Sequence, residues 1–115
     1  MVQNRNKLID LFIGNTSNAV VHKILEEAID DEVIRKYYDK EFLNSIEIAK
    51  TYREKINPVN GPLPEKGIDN IKNKIISNVT NDLNIRVSKS YENIKFDLIE
   101  STVNKMLIEM KVINN

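Results

Sequence analysis

Apolar residues recur along this chain at steps of three and four over most of its length, and that spacing predicts helices. The stretch from Asp31 to Ile56 holds no glycine or proline, and in it Ile34, Tyr38, Phe42, Ile46, Ala49, Tyr52 and Ile56 form one stripe. Upstream, Val2 to Ile13 predicts a short helix with Leu8, Leu11 and Phe12 on its apolar edge, and Gly14 stands where a left-handed cap would end it. Asn15, Thr16, Ser17 and Asn18 are all good N-cap residues, so a second helix is expected to start there and to use Val20, Val21, Ile24, Leu25, Ala28 and Ile29. Asp30 and Asp31 supply a stop and a cap for the long helix, although the pattern alone leaves open whether the chain breaks there or runs through.

All three prolines and two of the three glycines fall between Asn57 and Gly67, which marks one loop joining two halves of a single helical domain. Beyond it Ile68, Ile71, Ile75, Val79 and Leu83 again keep helical spacing. The stretch from Leu83 to Leu98 reads in two ways. Helical steps continue through Val87, Tyr91, Ile94 and Leu98, while the alternation of Leu83, Ile85, Val87 and of Ile94, Phe96, Leu98 allows a β-hairpin. Last, Phe96, Ile99, Val103, Met106, Met110 and Ile113 form a heptad-like stripe on a terminal helix. The expected fold is an all-α bundle of four to five helices, with the long helix at its centre and packed antiparallel on the helices after the loop.

Composition adds exclusions. Hydrophobic residues make up 41% and charged residues 30% of the 115 positions, as in a globular chain. Seventeen Lys and Arg balance seventeen Asp and Glu, so no overall field draws the chain to nucleic acid or an anionic membrane. Cysteine is absent, which removes disulfides, thiol nucleophiles and thiolate metal sites. The apolar run from Leu8 to Ile13 is short and broken by Asp10, fitting neither a signal peptide nor a membrane span, and the expectation is a soluble cytoplasmic chain. The sequons at Asn15 and Asn78 need a secretory context and carry no weight here.

No catalytic, phosphate or metal motif stands out, and neither an enzyme nor a cofactor is expected. His22 is the only histidine and lies four residues before Glu26, where a carboxylate would favour the imidazolium. A carboxylate-bridged metal pair would need Glu-x-x-His on two helices, but position 19 is alanine and no second histidine exists. The acidic run Glu26 to Glu32 lacks the spacing of a calcium loop and reads as a solvated helix junction. Lys50, Arg53 and Lys55 close the long helix, where cations suit the dipole, with Lys66, Lys72 and Lys74 beyond the loop. Tyr37 beside Arg35 and Lys36 offers one ring for stacking, and the prolines at 58, 62 and 64 could present an extended motif or act as a connector.

Two functional expectations follow. The first is a protein-protein interaction or self-association module, a homodimer in its simplest form, with Phe96, Ile99, Val103, Met106 and Met110 as the interface stripe and His22, Glu26, Lys50, Arg53 and Lys55 as polar contacts. The alternative is a nucleic-acid-associated regulator, because Leu8 to Ile29 has the outline of a helix-turn-helix and the possible hairpin would supply a wing. Against it, the second helix offers only His22 and Lys23 to phosphates and turns acidic towards its end.

Overall fold

A computed structural model describes residues 5–56, 65–88 and 94–113. Its elements are α1 (Arg5–Ala28), α2 (Glu32–Ile56), α3 (Glu65–Ser88) and α4 (Ile99–Glu109), with a single 3-10 turn, Phe96–Leu98, leading into α4. The all-α bundle is the observed fold. The hairpin is not formed: Leu83, Ile85 and Val87 belong to α3 and Phe96 to Leu98 to the 3-10 turn, leaving no strand among the described residues. Positions 57–64 and 89–93, which hold the prolines and the tip of the supposed hairpin, lie outside the described residues.

Helix α1 departs most from expectation. It runs 24 residues straight through Gly14, so the turn expected there does not exist. Its polar middle stays helical because the side chains bond back within the helix: Asn15 Nδ2 donates to the Leu11 carbonyl at 2.9 Å and Ser17 Oγ to the Ile13 carbonyl at 2.7 Å. Tertiary burial stabilises it more strongly still. Phe12, Val20, Ile24 and Leu25 are buried on one side of the break that the sequence suggests and on the other, and each contributes about 1.5–3 kcal/mol when removed from water. That outweighs the cost of about 1 kcal/mol for glycine inside a helix.

The ends of α2 follow the sequence closely. Asp31 caps it, its Oδ1 accepting from the Val33 and Ile34 amides at 2.9 and 3.2 Å. Residues 29–31 are too few for anything but a reversal, and α2 returns antiparallel on α1, as the contacts of His22 with Tyr38 and of Lys23 with Phe42 require. Helix α3 also runs antiparallel to α1, since Asn78 meets Ser17 while Asp82 shares a groove with Asp10. Helix α4 starts beside α3, where Lys72 pairs with Glu100 at 3.5 Å, and ends against α2, where Arg53 reaches the Lys111 carbonyl. Thus α1, and not the long α2, makes the most extensive contacts with the other helices, while α2 packs chiefly on α1. One core cluster joins residues of all four helices. The molecule measures 42 × 27 × 24 Å with a radius of gyration of 14.5 Å, slightly above the ~13 Å of a compact chain this long.

The C-terminal turn is built tightly. Lys111 has φ 60°, and its amide and that of Val112 donate back to the Ile108 and Leu107 carbonyls at 3.0 and 2.8 Å. This is a Schellman motif with lysine at the left-handed position that glycine would occupy without strain. Val112 and Leu107 are both buried, which adds the hydrophobic contact that accompanies the motif. Arg53, 2% exposed, donates from Nη2 to the Lys111 carbonyl at 2.9 Å, placing a cation at the negative end of α4.

Candidate functional site

The residues expected to form a hydrophobic interface are used inside the chain. Ile99, Val103, Met106 and Met110 are buried in the core and Phe96 packs partly buried against it, so α1 and α3 cover the stripe that was expected to need a second molecule. The polar candidates fall in two separate places, His22 and Glu26 on α1 and Lys50 with Arg53 in the wall of a small pocket at the end of α2. His22 Nδ1 donates to the Asn18 carbonyl at 2.7 Å, which fixes the tautomer, and its ring lies 5.8 Å from that of Tyr38. Glu26, expected beside His22, pairs with Lys23 at 3.6 Å instead. Lys55 lies over the Tyr52 ring at 5.7 Å and Lys50 is exposed, whereas Arg53 points inward. Burial pushes the Arg53 guanidinium below its ordinary value without changing its charge near neutrality. Lys72 is paired with Glu100 across to α4.

Two features remain that sequence reading missed. The first is the outward face of α2. Because α2 buries Tyr38, Ile46, Ala49, Arg53 and Ile56 on one face, the opposite face carries Val33, Tyr37 and Ile48, which are 78%, 59% and 46% exposed, with Ile34 on its flank. On a period of 3.6 residues Val33, Tyr37, Asn44, Ile48, Thr51 and Lys55 share one seam. Tyr37 meets the Tyr38 ring edge-on at 5.8 Å, which holds it in place at the surface. The signal was present in the sequence as apolar residues off the buried stripe.

The second feature is a half-open groove of about 390 Å³ between α1 and α3, lined by Asp10, Gly14 and Asn18 at four-residue steps on one side and by Asn78 and Asp82 on the other. Ser17, almost fully buried, lies in its wall. A Cβ placed on Gly14 would meet nothing within 4 Å, so the glycine is not required by packing. Among the described residues no three His, Asp or Glu side chains gather as metal ligands would, and no helix is long and apolar enough to cross a membrane. The helix-turn-helix outline is not formed, since its turn is the middle of α1. The chain matches no family model, and no curated protein or solved structure matches it.

Proposed function

We propose that this chain is a cytoplasmic helical interaction module that pairs with a second copy of itself through the outward face of α2. The observation that carries the proposal is the exposed seam of Val33, Tyr37 and Ile48 on a helix whose other face is buried. Scattered apolar residues are ordinary on a surface, but three on one seam of one helix are the pattern of a helix-pairing face. Charge supports a like partner. In an antiparallel pairing about Asn44 each position i stands opposite 88 − i, so Lys40 lies one residue from Glu47 of the second copy and Lys36 two residues from Glu54, within reach of long side chains, and each pair occurs twice. Asn44 then meets Asn44 at the axis, a polar contact of the kind that fixes register in helix pairs.

Light scattering of the full chain over micromolar concentrations at moderate salt tests this. A mass of twice 13.3 kDa that falls towards the monomer in a Tyr37→Glu, Ile48→Glu variant supports the pairing. A monomer at all concentrations overturns it.

A further inference from the structure

We propose that the groove between α1 and α3 binds a small organic cation rich in N–H donors, an alkylammonium group, with Asp10 as its charged anchor. The hydrogen bonds around the groove leave several of its oxygens without a donor. Ser17 Oγ donates to the Ile13 carbonyl, so it receives from Asn78, whose Nδ2 lies 3.4 Å away, and this fixes the amide with its nitrogen towards Ser17 and its oxygen unused. Asn15 is fixed in the same way, its nitrogen donating to the Leu11 carbonyl. Arg86 Nε holds Asp82 Oδ1 at 2.9 Å, which balances that charge and leaves the second carboxylate oxygen, while among the described residues no cation pairs with Asp10. The oxygens of Asn15, Asn78, Asp82 and Asp10 thus remain to accept, beside one N–H left on each of the Asn15 and Asn78 amides, and Asp10 is the carboxylate of the lining whose charge no cation among the described residues balances. A primary ammonium supplies three donors and one positive charge, which answers both. An anion would meet carboxylates, and an apolar ligand would strip these oxygens of water without replacing its hydrogen bonds.

The volume of about 390 Å³ lies within the range of small-molecule sites, and Gly14 is what keeps the groove open, because its missing side chain would project into unfilled space. The ammonium could come from a free amine or from a lysine side chain of another protein. Titration of the full chain with putrescine, and separately with Nα-acetyl-lysine methylamide, followed by backbone amide shifts, distinguishes the two by which binds more tightly. We expect saturable shifts confined to residues 10–18 and 78–82. Tetramethylammonium, with the charge but no N–H donor, should cause none at equal concentration. Asp10→Asn should weaken binding about tenfold, and Gly14→Met, which the open space admits without disturbing the fold, should abolish it. Absence of saturable shifts, equal shifts with tetramethylammonium, or unchanged affinity in Gly14→Met would each overturn the proposal.

Discussion

Two residues of α1 are placed where the helix would be more stable without them. Thr16 is fully buried and its Oγ1 has no hydrogen-bond partner among the described residues, so the hydroxyl has lost water and received nothing in exchange. Thr16→Val keeps the shape and removes the polar atom, and we expect it to stabilise the fold by about 1 kcal/mol in urea unfolding. Gly14 differs in kind, since its Cβ would meet nothing and only helix propensity is at stake. Gly14→Ala should add about 0.5–1 kcal/mol. A destabilised Gly14→Ala would mean that the helix at this point is held by a contact that alanine disturbs.

Among the elements, α4 depends on a lock that joins it to α2. The Arg53 guanidinium is buried against the Lys111 carbonyl, and Arg53→Ala would leave that carbonyl without its donor and a space where the side chain lay. The expected loss is about 2–4 kcal/mol, measured by thermal unfolding, with faster amide exchange in α4 than in α1. Lys111→Gly acts at the same turn with the opposite sign: glycine adopts φ 60° freely, and a gain of about 1 kcal/mol is expected. These elements also show what a sequence exposes. The start of α2 was legible because Asp31 and the glycine-free stripe behind it agree, whereas α1 was divided because Gly14 and four cap-forming residues imitate a boundary that burial overrides. Arg53 was read with its basic neighbours at the helix end, yet Ile46, Ala49, Arg53 and Ile56 step by three and four, which already placed it on the buried side. The groove could not be read at all, since it depends on how α1 and α3 meet across more than sixty positions of chain.

At the scale of the molecule, the balance of charge decides what sort of assembly is open to it. With equal numbers of acids and bases, two copies approach without net repulsion, and specificity must come from how the charges are ordered along α2. That order is itself testable. Lys40→Glu puts like charges beside Glu47 at two places in the antiparallel pair, and the mass by light scattering should fall towards 13.3 kDa at low salt. Adding Glu47→Lys restores both contacts with their signs exchanged and should restore the dimer, because the pairing is reciprocal about its axis. A parallel pairing sets each residue beside its own counterpart and gains nothing from the exchange. Salt separates the contributions further: the defect of Lys40→Glu should shrink as ionic strength screens the exposed charges, while the apolar seam of Val33, Tyr37 and Ile48 keeps its attraction. If the double exchange fails to rescue the single one, the two copies do not meet antiparallel about Asn44, and the seam must be covered in some other geometry.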